Sequence, residues 1–404
     1  MKGMESCAWL RRSIKVWILL FFLELLSVSC EEIPSPDVVR EPAVVSLPEL
    51  AQVFANLPLG QEHLEEVHAA VSSSVDNGYD EEYMLADLFN SPGAGVGSSG
   101  VDTRASEGRW ERPIRSLLKD YLDQSFATRA SSADYMSAED YIAALTASDV
   151  QIYWPFADRW DGEEYPVITF DPGVDAASNE GYTMTPEGEL KCVVVTEELA
   201  RERPVWVINR NDDSMFKSIE MLRKEDPDWG KGGGIIVGPS TRAGTSSDVK
   251  TLFLESIKLK KNLDCWLAGG SELFVRCGSV ENFKASTEAE MRLYSPSVTD
   301  FMIAIRRSQI GTAVPFDAVL VSEWTDQLQS LAFMITEDDG GTRTSWKCSA
   351  TVKVESKSYG FDISLPMNSR DDIVWRGQLS RKYFEKNNKV EGHFGDADLI
   401  FAIQ

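Results

Sequence analysis

The apolar residues of this chain change their spacing near residue 149, and that change constrains the fold more than any other feature. Before it, Leu50, Val53, Phe54 and Leu57 fall at i, i+3, i+4 and i+7, and Leu64, Val67, His68 and Val71 repeat the pattern. An α-helix gathers such positions on one face. Leu47-Pro48-Glu49 places proline near a helix start. Asp80-Glu81-Glu82, ahead of Tyr83, Met84 and Leu85, reads as the acidic first turn of another helix. A further amphipathic helix is expected over 110–127, with Trp110, Ile114, Leu117, Leu118, Tyr121 and Leu122 inward. A short one follows, capped by Ser137, with Tyr141, Ile142 and Leu145 inward.

Beyond residue 149 the spacing becomes that of strands. Val150-Gln151-Ile152-Tyr153-Trp154 opens a series of short β-rich runs: 166–170, 190–196, 205–209, 235–237, 250–259, 272–277, 301–305 and 316–321. The series continues with 331–336, 346–355, 360–365, 373–379 and 398–403. Gly, Pro, Asn and Asp separate them, as in β-sandwiches. No stretch alternates strand with long helix, which disfavours a doubly wound α/β fold. The expected class is α+β, mostly β: a helical N-terminal unit followed by β-sandwich-like domains, the last of them C2-like.

Residues 1–30 carry a basic start (Arg11, Arg12, Lys15), a short apolar run interrupted by Glu24, and Leu26-Ser27-Val28-Ser29-Cys30. A charged n-region, a short h-region and small residues before a cut define a secretory signal. The run is too short for the roughly 20 residues of a membrane span. A cut before a cysteine resembles the lipobox of bacterial lipoproteins, in which Cys30 would carry the lipid. Residues 31–47 are acidic, Pro-containing and non-periodic, as in a tether. The expected organisation is therefore a signal peptide at 1–29 and a lipid-anchored tether at 30–47. A helical unit at 48–147, a β-rich domain at 148–310 and a C-terminal sandwich-like domain at 311–404 follow. The last break falls at the GTAVP segment, and the Gly/Ser-rich 91–108 reads as an exposed loop.

The net charge is −24, and the signal is itself basic, so the exported remainder is more acidic still. This disfavours nucleic acid and anionic lipid as partners. Of six cysteines, Cys192, Cys265, Cys277 and Cys348 lie outside the signal and the lipid position. Export permits disulfides, and four cysteines allow three full pairings. Cys265–Cys277 is the first pair to test, although their apolar contexts suit buried free thiols equally well.

Catalytic motifs fail on inspection. His63 and His68 are five apart, so H-E-x-x-H is absent. Gly269-Gly270-Ser271-Glu272 does not complete G-x-S-x-G, because Leu273 holds the fifth place. The acidic turns of the C-terminal third are more informative: Glu337-Asp338-Asp339 and Asp371-Asp372. If these turns share one end of a sandwich, their carboxylates converge, and calcium takes 6–8 oxygen ligands of this kind. The competing reading is that Asp is simply a good turn residue. Among eleven tryptophans, Trp160 in Asp158-Arg159-Trp160-Asp161-Gly162 is the candidate for ligand contact, such as stacking on a sugar ring.

Several segments together resemble a family of uncharacterised Bacteroidetes lipoproteins: the segment 80–85, Val150–Phe156, Pro166–Thr169, Pro204–Asn209 and Trp266–Glu272. The resemblance covers most of residues 48–280 and implies a cell-envelope location, with Glu31-Glu32 resembling an outer-membrane sorting signal. It supplies no activity. The functional expectation is a lipid-anchored envelope protein, outer-membrane located, that binds a glycan or envelope protein or serves structurally, and is stabilised by calcium. The alternative is a secreted glycosidase- or peptidase-like hydrolase using paired carboxylates.

Overall fold

A computed structural model describes residues 45–90, 110–129, 137–185, 187–211, 216–227, 229 and 249–404. Cys30, the signal, most of the tether, the 91–108 loop and the expected strand at 235–237 lie outside the described residues. The chain is α+β and mostly β, with its helices concentrated toward the N-terminus and three sheets in a sandwich-like arrangement.

The N-terminal helices are α1 (Leu47–Asn56), α2 (Gln61–Asp76), α3 (Leu85–Asn90), α4 (Ile114–Arg129) and α5 (Ala138–Thr146). Their buried residues follow the predicted stripe: Leu50 and Phe54 in α1, Leu64, Val67 and Val71 in α2, Ile142 and Leu145 in α5. Ser137 caps α5 by accepting the Asp140 N–H at 3.1 Å.

These helices do not form a unit of their own. They pack on a six-stranded sheet of β1 (Glu82–Met84), β2 (Val150–Tyr153), β3 (Val167–Phe170), β4 (Ser178–Met184), β5 (Leu190–Thr196) and β6 (Val205–Arg210). The sheet order is β1-β2-β6-β3-β4-β5, and among its described strands only β3 and β6 run parallel. Helix residues Leu50, Phe54 and Leu118 share one core with Ile152, Ile168, Trp206 and Ile208 of the strands and with Trp154 just past β2. The expected border at 147/148 therefore runs through a continuous core. Asp80-Glu81-Glu82 is not a helix start either: Glu82 opens β1 opposite Tyr153, and α3 begins at Leu85.

After α6 (Glu197–Glu202) and α7 (Ile219–Glu225), the rest of the chain builds two sheets. One has the order β10-β7-β16-β15, from Val314–Trp324, Lys250–Leu259, Ala397–Ile403 and Lys389–Phe394. The other has the order β13-β12-β11-β8-β9, from Lys357–Asn368, Arg343–Val354, Leu328–Glu337, Ser271–Ser279 and Ser297–Ile305. Strand β14 (Asp372–Ser380) also pairs β11. Alternating inward residues such as Leu252, Leu254, Leu273, Val275, Phe333, Ile335, Leu399 and Phe401 fill the core between them. The expected break at 311–315 does not divide these strands. β10 begins within it yet pairs β7, which precedes it, and β8 pairs β11 across it.

Residues 260–270, between β7 and β8, leave the sandwich. Trp266 (5% exposed) and Leu267 (0%) enter the free face of the six-stranded sheet, against Tyr153, Phe156, Val167, Val195, Val205 and Val207. This plug explains why Cys265 and Cys277 are not paired. Cys265 packs with the plug, whereas Cys277 is buried inside the sandwich, and all four described cysteines are free.

Candidate functional site

Antiparallel pairing brings the acids of the sandwich together. The C-terminal end of β11 lies between the N-terminal ends of β8 and β14: Glu337 stands opposite Leu273 on one side and Asp372 on the other. The Asp338 N–H donates to the Glu272 carbonyl at 3.2 Å, which continues the register by one residue. Asp264, at the root of the plug, completes the group. One carboxylate oxygen each of Asp264, Glu272 and Glu337 lies within 4.8 Å of the others.

Glu337 is the centre of this group. It is 1% exposed, and no donor among the described residues reaches its Oε1. Burial pushes its carboxyl up to about 12, helped by a hydrogen bond with Asp264 and by the charges of Asp264, Asp339 and Asp372. Two facing carboxyl groups hold together only through a shared proton or a cation. Two oxygens bound to one calcium at about 2.4 Å can be no more than about 4.8 Å apart, and the spacing of these three meets that limit. The donors are all carboxylate oxygen, with no imidazole or thiolate, which suits a hard divalent cation over zinc or copper.

The other predicted acids serve the turns beside it. Asp338 Oδ1 accepts from the Gly340 N–H (2.9 Å) and from Asn368 Nδ2 (3.0 Å). Asp371 Oδ2 accepts from the Asn368 N–H (2.8 Å) and Thr336 Oγ1 (3.4 Å), and burial raises its carboxyl above the usual range. Asp339 Oδ2 accepts the Asp372 N–H at 3.1 Å, and Asp372 itself is exposed. Of the five acids singled out from the sequence, Glu337 alone belongs to the converging group. Asp264 and Glu272 were not singled out, because nothing local in the sequence sets them apart. Only strand pairing joins them to Glu337.

Trp160 is half-buried in an aromatic group, 5.1 Å from the His68 ring and 5.3 Å from Trp154 by centroid. Its Nε1 donates to the Glu164 carbonyl at 2.9 Å. These contacts fix the ring against the helical layer. A shallow, open depression lies on β4 and β5, lined by Ser178, Asn179, Glu180, Cys192, Val193 and Val194. It includes neither Trp160 nor the acidic group.

A second set of acids lies where the plug meets the N-terminal sheet. Asp80 and Glu81 are each 1% exposed. Asp80 Oδ2 accepts the Gly270 N–H at 2.5 Å, and Glu81 Oε2 accepts the Phe156 N–H at 2.9 Å. Burial raises both carboxyls, Glu81 to about 8, with the Asp80 charge adding to the effect on Glu81. Arg307 spans the same seam. It donates to the carbonyls of Gly269 (2.9 Å) and Asp264 (2.8 Å) and pairs Glu197 at 3.4 Å.

Compared with protein-family models, with curated proteins and with solved structures, the chain gave no match. No described helix is long and apolar enough to cross a membrane.

Proposed function

We propose that this chain is an exported, lipid-anchored cell-envelope protein whose β-rich body is a non-enzymatic binding or structural module stabilised by a divalent cation, calcium above all. The observation that carries the cation reading is the convergence of Asp264, Glu272 and the buried Glu337, whose Oε1 no donor reaches among the described residues. The anchor rests on the n-region, h-region and Cys30 of the sequence. The acidic surface supports a glycan or envelope protein as partner over nucleic acid.

The hydrolase reading would need two acids facing a substrate across about 5–9.5 Å. The adjacent acids Asp80 and Glu81 are each 1% exposed and accept backbone N–H groups, an arrangement that favours a structural role.

Thermal unfolding in millimolar calcium and in chelator tests the cation. A ligand selective for the native state at 100 times its Kd adds about 2.7 kcal/mol of stability, so the midpoint should rise with calcium. Superimposable transitions would refute the reading. Metabolic labelling with a radioactive fatty acid tests the anchor: the native chain should incorporate label and Cys30→Ser should not.

A further inference from the structure

The cation site stands at the root of the plug, and the plug joins the two halves of the described fold. Asp264 and Glu272 lie on either side of residues 265–270, and Glu337 on β11 stands within 4.8 Å of both by carboxylate oxygen. Between those two acids, Trp266 and Leu267 are buried in the N-terminal sheet. The segment is then fastened from both sides. Asn209, at the end of β6 and 1% exposed, donates through Nδ2 to the carbonyls of Ala268 (2.5 Å) and Leu267 (3.4 Å). Asp80 accepts the Gly270 N–H, and Arg307 holds the Asp264 and Gly269 carbonyls. Asn262 Nδ2 donates to the Asp264 carbonyl at 3.0 Å, and Ser271 Oγ bonds Asn262 Oδ1 at 3.2 Å.

We infer that a divalent cation bound by Asp264, Glu272 and Glu337 is the clasp that closes this loop and so fastens the N-terminal helix-and-sheet layer to the sandwich. The inference rests on the cation reading above and adds its consequence. Without the ion, the root is held by hydrogen bonds alone. With it, the root is drawn shut, and the plug stays in the sheet. Because coupling between sites is reciprocal, anything that loosens the plug must weaken the cation by the same factor that the cation tightens the plug.

Two measurements on the full chain test this. Hydrogen exchange with and without calcium should show the amides of 262–271, and that of Phe156 in the same core, slowed by about fivefold or more beyond any slowing of the β12–β13 hairpin at 343–368. Asn209→Ala removes two plug contacts and touches no proposed ligand. Its calcium Kd should be weaker than that of the unaltered chain by about fivefold, the lower end of ordinary coupling. If calcium binds and stabilises but 262–271 exchange unchanged and Asn209→Ala binds as tightly, the clasp is overturned and the cation site stands. If calcium does not bind at all, both fall.

Discussion

Glu66 illustrates how much a single buried acid can do in this protein. It is 4% exposed, and its Oε2 accepts the Ile114 N–H at 2.7 Å, one of the donors left unpaired at the start of α4. Glu66→Ala should therefore cost about 1–3 kcal/mol, the penalty of a buried donor without its acceptor, read from urea unfolding at pH 5. Burial also pushes the Glu66 carboxyl from 4.5 to about 7. The folded state then binds the proton more tightly than the unfolded one, so this contribution is complete below pH 4.5 and is lost as pH rises through about 7. Glu66→Gln keeps an acceptor for Ile114 and should flatten the decline in stability between pH 5 and pH 8. An unaltered slope would contradict that assignment. Gly270 is a steric case. A Cβ there would lie 2.9 Å from Asp80 Oδ2 and 3.0 Å from the Ile305 carbonyl, and the backbone cannot yield cheaply. Gly270→Ala should destabilise by about 1–3 kcal/mol, measured by chemical denaturation. At this scale the sequence revealed Glu337 as an acid in a turn but concealed its partners. It also misplaced Asp80 and Glu81, whose charge suggested a surface helix start. What overrides that preference is a set of backbone N–H donors from Gly270 and Phe156, which sequence spacing does not display.

Elements with strong apolar alternation were legible almost to their ends. Strands β5 and β7 occupy the ranges expected of them, and β12 and β13 extend theirs by a few residues or shift an end. Three strands gave no signal, for separate reasons. β1 is three residues long and lies among acids. β4 is largely polar and exposed, and its Gly181 is demanded by Val195, whose Cγ2 would be 2.3 Å from a Cβ there. β15 alternates exposed and half-buried residues and, among the described strands, pairs only β16. The plug was invisible for another reason: Trp266 and Leu267 have no periodicity, and their burial depends on a sheet far away in sequence. Its contribution is testable. Leu267 is fully buried among Tyr153, Val205 and Val207, and Leu267→Ala should cost about 2–5 kcal/mol. The denaturant midpoint should fall with the slope unchanged. A loss under 1 kcal/mol would mean that the plug does not hold the layers.

For the whole molecule, the period change at residue 149 foretold the class correctly but not its partition. Helices and strands share the N-terminal core, and the sandwich draws strands from both sides of the expected 311–315 break. Long-range pairing decides such borders, and local composition does not. The excess of acid has a matching consequence. Glu66, Asp80, Glu81 and Glu337 are all raised by burial, so in chelator the chain should lose stability from pH 5 to pH 8. A bound cation would compensate at the Glu337 group by replacing a proton with a stronger counter-charge. The most direct test is calorimetric titration of the chelator-treated full chain with calcium, beside Glu337→Gln. The account predicts one saturable site with Kd between about 10⁻⁶ and 10⁻³ M, weakened at least tenfold in Glu337→Gln. No saturable binding in the unaltered chain, or equal binding in the variant, would contradict it.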